Sequence, residues 1–408
     1  MKADSTMSPI KVIHVITRLD QGGSARNTML TVLGHDRAHY TPIVIAGKPG
    51  RWTAQGGEEA THHNAHRLLS AGVRCLLLDT LVRHVSPLDD LRALWRIWNV
   101  FLEERPAVVH THTSKAGAIG RVAAWLAGVP TIIHTPHGHV FYGHFGRGLS
   151  WVFLQLERLL ALITTHAIAL TDAERRDYLD RNVGTPSLWS VIPSGIDREP
   201  FQATATTPKR RPVFFGCPED AVVVGSVGWL TEIKGHRTLI EAIAEVAPAH
   251  PRVHLVLVGT GHLHDDYVQL ADWLGIRDRV HLIGHQEDVP ACLAGMDIFV
   301  LPSLNEGMGR ALVEAMAACL PVIATRVGGV PGVLEDRRTG LLVPPADSGA
   351  LARALVTHLQ NPARARDMGL AAGLSIGTHY DVAWMVPAIE SIYEAVRPRP
   401  DIRKAPAW

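Results

Sequence analysis

Short apolar runs recur along the chain, each ending in a polar or glycine-bearing turn before a new amphipathic stretch. Residues 10–17, 42–46, 73–79, 107–109, 131–133 and 166–171 form one series; residues 221–227, 253–258, 280–283, 296–301 and 341–345 form a second. Runs of this length and low charge fit strands buried on both faces. Residues 87–104 carry apolar positions three and four apart, the period of a helix packed on one side. Alternation of the two patterns predicts parallel sheets covered by helices on both faces. Between the series, residues 198–220 are rich in Thr, Pro and Arg and have no period, which predicts a linker. The expected layout is a tail at 1–9, a first α/β lobe at 10–197, a second at 221–383 and a closing helix at 384–396. That last helix shows Ile389, Ile392, Tyr393 and Val396 on one stripe.

Composition narrows the picture only slightly. The chain has 408 residues. A prior of roughly one domain per 150 residues allows two or three domains with full cores. Its content is 47% hydrophobic and 19% charged, that of a globular interior. A net charge of +1 gives no bulk attraction for nucleic acid. Cys75, Cys217, Cys292 and Cys319 are far apart and form no C-x-x-C pair, as expected of reduced thiols in a cytoplasmic protein. Residues 1–9 lack the apolar core of a secretion signal. The most apolar long stretch, 149–170, is interrupted by Gln155, Glu157, Arg158 and His166, so it predicts a helix and a strand rather than a membrane span. Any membrane contact is expected to be peripheral, at the inner face.

The stretch with the most chemistry is Ser303-Leu304-Asn305-Glu306-Gly307-Met308-Gly309-Arg310-Ala311-Leu312-Val313-Glu314. On one continuous helix Glu306 and Glu314 would lie about 80° apart, off a common face. The spacing is better met with Glu306 in the loop after a strand and Glu314 inside the following helix. Both carboxylates then face the crevice at the carboxyl ends of the strands. Free amides at the helix start favour a phosphate, and Gly307 and Gly309 permit close approach.

This stretch, followed by Pro321-Val322-Ile323-Ala324-Thr325 and Gly328-Gly329-Val330-Pro331, resembles the donor site of the retaining family 4 (group 1) glycosyltransferases. The resemblance covers about residues 10–396. It implies the GT-B arrangement, two Rossmann-like lobes facing across a cleft, with the last helix crossing back to the first lobe. It further implies transfer of a sugar from a nucleotide diphosphate sugar, UDP-linked first and GDP-linked next, to a hydroxyl with retention of configuration. The nucleotide sugar is a co-substrate, and no cofactor or metal is required. The implied acceptor is a glycan or lipid-linked molecule of cell-envelope synthesis. By resemblance, Glu314 accepts the ribose hydroxyls and Glu306 holds the sugar. Backbone amides at Gly307, Met308 and Gly309 fix the sugar, with Arg310 and His285 beside the donor. Lys234 supports the diphosphate and Gly23 meets it from the facing lobe.

Other loops add to this reading or complicate it. Gly22-Gly23 after the first strand is either a tight turn or a phosphate contact, and the dinucleotide fingerprint G-x-G-x-x-G is absent, which disfavours a dehydrogenase. In His110-Thr111-His112-Thr113-Ser114-Lys115, the residues His112, Ser114 and Lys115 are candidates for acceptor binding, with Lys115 equally readable as a solvated surface charge. His134, His137, His139 and His144 crowd one loop without the spacing of a zinc protease, so no metal is expected. Alignment of Thr135-Pro136-His137-Gly138 with the family motif selects His137 as the residue near the reacting carbon. Pro193-Ser194-Gly195-Ile196-Asp197 resembles the family's hinge, with Ser194 replacing asparagine. At Gly228-Trp229-Leu230-Thr231-Glu232-Ile233-Lys234-Gly235, Trp229 stands where the family has an arginine, and Arg310 or Arg326 is a candidate replacement. That departure keeps open a weakened, nucleotide-sugar-binding protein; an epimerase of the same layout is the other alternative. Lys115 and Arg121, with the helix from 149, are a candidate surface for anionic membrane.

Overall fold

The computed structural model describes residues 9–48, 57–82, 84–138, 146–206 and 212–398. All but the last residue of the tail expected at 1–9 lies outside these. In the first lobe the order is β1 (Ile10–Ile16), α1 (Gly23–Gly34), β2 (Tyr40–Gly47), α2 (Gly57–Ser70), β3 (Arg74–Leu78), α3 (Pro87–Glu104), β4 (Val108–His112), α4 (Ser114–Leu126), β5 (Thr131–Thr135), α5 (Arg147–Ala161), β6 (His166–Ala169), α6 (Asp172–Asp180) and β7 (Trp189–Val191). The strands are parallel and ordered β3-β2-β1-β4-β5-β6-β7. The chain continues through α7 (Glu199–Thr206) into β8 (Val222–Val227), α8 (His236–Val246), β9 (Val253–Val258), α9 (His264–Trp273), β10 (Val280–Leu282), α10 (Val289–Ala294), β11 (Ile298–Leu301), α11 (Arg310–Ala317), β12 (Val322–Thr325), β13 (Leu341–Val343), α12 (Ser348–Gln360), α13 (Pro362–Ser375) and α14 (Val382–Val396). This second sheet is also parallel, ordered β10-β9-β8-β11-β12-β13.

Each sheet reverses its winding once, between β1 and β4 in the first and between β8 and β11 in the second. At such a reversal the flanking loops diverge and leave a crevice at the strand ends. The loops after β1, β4, β8 and β11 are therefore the ones placed to bind, and they carry the glycine turns, Lys234 and Glu306. Central strands β1, β4 and β11 are almost wholly buried; β11 is apolar throughout, whereas β1 and β4 also bury histidines.

Two segments bridge the lobes. Ile196 pairs with Asp381, and backbone bonds run from the Ile196 amide to Tyr380 O and from the Val382 amide to Ile196 O. After that crossing, α14 lays Met385, Val386, Ile389 and Tyr393 against Val12, Val108, Ile133 and Ile168 of the first lobe. The last helix thus returns to the first lobe. The stretch at 198–220 is less irregular than its sequence suggests. Residues 199–206 form α7, whose Phe201 joins the core of the second lobe together with Phe215. Burial of one aromatic holds a short helix that its threonines would not favour alone. All four cysteines are free thiols. Among the described residues no helix is long and apolar enough to cross a membrane.

Candidate active site

In the second lobe the site is built from ion pairs. Leu301 ends β11, and Ser303 to Gly309 form the loop into α11. Glu306 is held there by the Lys234 ammonium, 2.5 Å from its Oε1, and by the Ser303 hydroxyl, which donates at 2.9 Å. Ser303 is itself fixed, because the Thr325 hydroxyl donates to its carbonyl at 2.5 Å. Lys234 reaches the carboxylate because Gly235 turns the chain at φ +66°; a Cβ there would lie 2.1 Å from Pro302 O. Gly329 performs the matching task beneath the loop, where a Cβ would lie 1.9 Å from Gly307 O. One turn into α11, Glu314 accepts from Arg310 Nε at 2.9 Å, and Arg310 also donates to Gly195 O of the hinge at 2.7 Å. Both glutamate side chains are only 12% exposed, so neither points into bulk water.

The facing lobe is built differently, from neutral imidazoles. His14 on β1 and His110 and His112 on β4 are fully buried, and His137 follows β5. His137 Nε2 lies 3.0 Å from His112 Nδ1 and the two rings stack. His110 is bonded to Tyr393 OH at 2.6 Å and Thr135 Oγ1 at 2.8 Å. Burial drives the pKa values of His14, His110, His112 and His134 well below that of free imidazole and pushes His137 down to about 3. Thr113 and His137 both adopt positive φ, 63° and 59°. That conformation costs a side-chain-bearing residue energy and concentrates at functional sites. The His137 turn is clamped by Glu174, whose carboxylate accepts from the Gly138 amide at 2.7 Å and the Leu170 amide at 2.6 Å.

The lobes meet where these two sets face each other. A Cβ on Gly307 would stand 3.2 Å from Gly138 N, and the Thr171 hydroxyl donates to Gly307 O at 3.4 Å. Trp229 faces the Gly22 turn, with its Nε1 3.6 Å from a Cβ built there, and Gly23 lies beside Arg310. The structure therefore brings Glu306, Gly307, Gly309, Arg310, Glu314, Lys234, Gly23 and His137 to one interface.

Several expected residues sit elsewhere or act otherwise. Met308 buries its side chain in the core beside Leu312 and Val330, so only its backbone can meet a ligand. His112 is covered by His137 rather than open to an acceptor. Ser114 begins α4, and Lys115 is turned away into an ion pair with Asp90 and a bond to His84 O. Arg121 is not a surface charge: it is fully buried, with its Nη2 donating to both carboxylate oxygens of Glu157 at 2.8 and 2.9 Å. His285 is exposed in the loop after β10. Arg326 is exposed and paired with Asp336, and Arg310 is committed to Glu314, so neither stands free in place of the missing arginine. His139 and His144 lie outside the described residues.

Sequence reasoning missed Glu174 as a site residue, although Thr171-Asp172-Ala173-Glu174 has the spacing of a capping box. It also missed His14, which no local motif marks. Two sets of side chains have donor atoms close enough to share a metal, His14/His110/His112 and Cys217/His254/His281. In the first set all six ring nitrogens already have hydrogen-bond partners, and in the second His254 Nδ1 and His281 Nε2 are bonded to each other at 3.0 Å. A metal would have to break those bonds.

Comparison with known proteins follows the same division of the chain. Residues 22–195 match the family model for a glycosyl transferase 4-like domain, and residues 220–361 match the model for glycosyl transferases group 1. An Escherichia coli UDP-Gal:alpha-D-GlcNAc-diphosphoundecaprenol alpha-1,3-galactosyltransferase is 32% identical over 292 residues, 71% of this chain and 75% of that protein. The Staphylococcus aureus capsular polysaccharide biosynthesis glycosyltransferase CapM is 25% identical over 344 residues, 81% of this chain and 89% of that one. In fold, the chain resembles Anabaena HepE, solved with UDP and glucose, at a TM-score of 0.78 and 22% identity, covering 95% of this chain and 100% of that one. Two parallel-sheet lobes, a shared crevice lined by Glu306 and Glu314, and these matches lead to one conclusion: the chain belongs to the group 1 (family 4) glycosyltransferases, with the GT-B fold.

Proposed function

We propose that the protein transfers a sugar from a UDP-sugar to a hydroxyl of a lipid-linked or glycan acceptor in bacterial envelope polysaccharide synthesis, with retention and without a metal. The observation that carries this is the pair of salt-bridged carboxylates, Glu306 with Lys234 and Glu314 with Arg310, at one strand end opposite His137. Each carboxylate has one oxygen engaged by a cation and a second that can accept from hydroxyls. Glu314 takes the ribose and Glu306 the transferred sugar. Lys234 leaves Glu306 for the incoming diphosphate, so negative charge growing on the leaving group meets a positioned ammonium. Amides of Gly307 to Gly309 and of Gly23 close on the phosphates and the sugar, while the His137 turn bounds the reacting carbon. The name of the E. coli relative supports the UDP-linked donor, and the names of both relatives support the pathway class.

A second reading has one specific support. Trp229 supplies no charge, and neither candidate replacement arginine is free. A protein that binds the donor but turns it over slowly fits that arrangement. A thermal-shift screen of UDP-, GDP-, ADP- and dTDP-sugars on wild type and Glu314→Ala tests the site, because a bound ligand raises the melting point by mass action. Stabilisation by a UDP-sugar that is lost in the variant supports the assignment; stabilisation by none refutes it. Transfer assays with the stabilising donor then separate enzyme from binding protein.

Membrane contact rests on apolar side chains rather than on Lys115 and Arg121. Trp125 and Leu126 of α4 and Trp151, Val152 and Leu159 of α5 are exposed on packed neighbouring helices. Such a face suits the interface where a lipid-linked acceptor resides. Flotation with vesicles checks it; no binding at any lipid composition would end it.

A further inference from the structure

His137 is the inner end of a chain of hydrogen bonds that crosses the first lobe to its surface. His137 Nε2 lies 3.0 Å from His112 Nδ1, His112 Nε2 lies 3.1 Å from His14 Nδ1, and His14 Nε2 lies 3.1 Å from His35 Nε2. His35 Nδ1 lies 2.9 Å from Glu390 Oε1 on α14. The four imidazoles come from the His137 turn, β4, β1 and the end of α1, and each uses both ring nitrogens in the chain except His137. Its Nδ1 bonds to none of the described residues. The glutamate lies at a surface depression.

Proton positions along this chain follow from the carboxylate at its outer end. The Asp36 amide donates to Glu390 Oε1 at 3.0 Å, and a carboxylate only accepts, so beside it His35 Nδ1 carries the hydrogen. A neutral His35 then has a bare Nε2, which requires Nε2–H on His14. The same rule, applied twice more, requires Nε2–H on His112 and Nε2–H on His137. His137 Nδ1 is left as an acceptor with no partner among the described residues, at a turn whose backbone abuts Gly307 across the cleft. A carboxylate on the last helix thereby decides which edge of a distant site imidazole holds its proton.

We propose that Glu390, acting through His35, His14 and His112, sets the tautomer of His137 and removes the proton that His137 Nδ1 takes from a bound hydroxyl. The steps balance. The hydroxyl O–H breaks as Nδ1–H forms on His137, and His137 Nε2–H passes to His112 Nδ1. His112 Nε2–H passes to His14 Nδ1, and His14 Nε2–H passes to His35 Nε2. The added charge ends on His35 against the Glu390 carboxylate, and none of the buried imidazoles behind His137 keeps it. Their burial, which disfavours a charged ring at each intermediate position, is compatible with transfer for this reason. The outer pair is faced by Asp36 and His39 beyond α1, Tyr40 of β2, and Tyr393, Glu394 and Arg397 at the end of α14. His110 packs on His14 and His112 but bonds to Tyr393 and Thr135, outside the chain. Glu390, His35, His14 and His112 are positioning residues; His137 alone reaches the site. The hydroxyl step rests on the transferase reading, whereas the tautomer does not.

The test is ring-nitrogen NMR of the full chain labelled with 15N-histidine, without substrate, with His137→Gln to assign the signal. Wild type near neutral pH should show His137 protonated at Nε2 and bare at Nδ1. Glu390→Gln, whose amide can either donate or accept, should give a mixture of tautomers. A His137 tautomer that is opposite in wild type, or that is unchanged in Glu390→Gln, overturns the proposal. In turnover, Glu390→Gln should lower kcat on the order of tenfold or more at unchanged donor KM. Equal kcat would sever the relay from catalysis even where the spectra agree, and spectra that agree in a protein without turnover would leave the tautomer claim standing while the function fails.

Discussion

The two lobes share a parallel-sheet design but solve opposite electrostatic problems at the cleft. The second lobe presents ions in pairs, Lys234 with Glu306 and Arg310 with Glu314, at a depth where each is mostly but not fully covered. The first presents imidazoles that burial keeps uncharged, and it hides its own strong ion pair, Arg121–Glu157, far inside. A charged wall can exchange partners with an anionic diphosphate. A neutral wall can hydrogen-bond to hydroxyls without repelling or trapping that charge. The proposed function sets the donor against the charged side and the hydroxyl against the neutral one.

If that division is right, ion pairs in the two lobes should fail differently when cut. Arg121→Ala leaves Glu157 buried and unpaired, and should destabilise the protein by about 3–5 kcal/mol in denaturant unfolding. Activity per folded molecule should stay close to wild type. Glu306→Gln should do the reverse, lowering kcat on the order of 10²–10³-fold with little change in unfolding midpoint. An Arg121→Ala variant as stable as wild type, or a fully active Glu306→Gln, would erase the distinction.

The neutral wall can be broken by acid. Buried His14, His110, His112, His134, His137 and His236 stay unprotonated in the native state, His137 and His236 down to about pH 3. In the unfolded chain they take up protons below about pH 6.5. Stability is therefore present above that pH and lost as pH falls, by about 1.4 kcal/mol per unit for each such histidine. Denaturant curves between neutral and mildly acidic pH read the slope directly. A flat profile would mean that these rings charge inside the fold. The smallest effect is expected from Trp229→Arg, which restores a cation to the charged wall and should strengthen UDP-sugar binding on the order of tenfold through charge-assisted bonds. No gain would show that Trp229 is not beside the diphosphate.

How much of this was legible beforehand depended on whether the signal was local. Parallel strands were readable where burial on both faces leaves an apolar run, as in β11; in β4 the run stops after Val109, because His110, Thr111 and His112 are polar yet buried. Glu306, Glu314 and Lys234 were readable because one loop or turn holds each with its glycines. α7 was not, because its helix depends on Phe201 finding a core made by β9, β11 and α11, far along the chain. Arg121 looked like a surface charge on α4 until Glu157 of α5 was placed against it. The chain from Glu390 to His137 was invisible for the same reason: it joins five elements that only the sheet order brings together. Met308 illustrates the reverse case, a residue inside a legible motif whose side chain serves the core.

The most direct check of the division of labour is calorimetric titration of UDP into wild type, Glu314→Ala and His137→Ala. The charged lobe should carry the nucleotide, so affinity should fall to near undetectable in Glu314→Ala and remain within a few-fold of wild type in His137→Ala. Undiminished UDP binding by Glu314→Ala, or its loss in His137→Ala, would contradict the account.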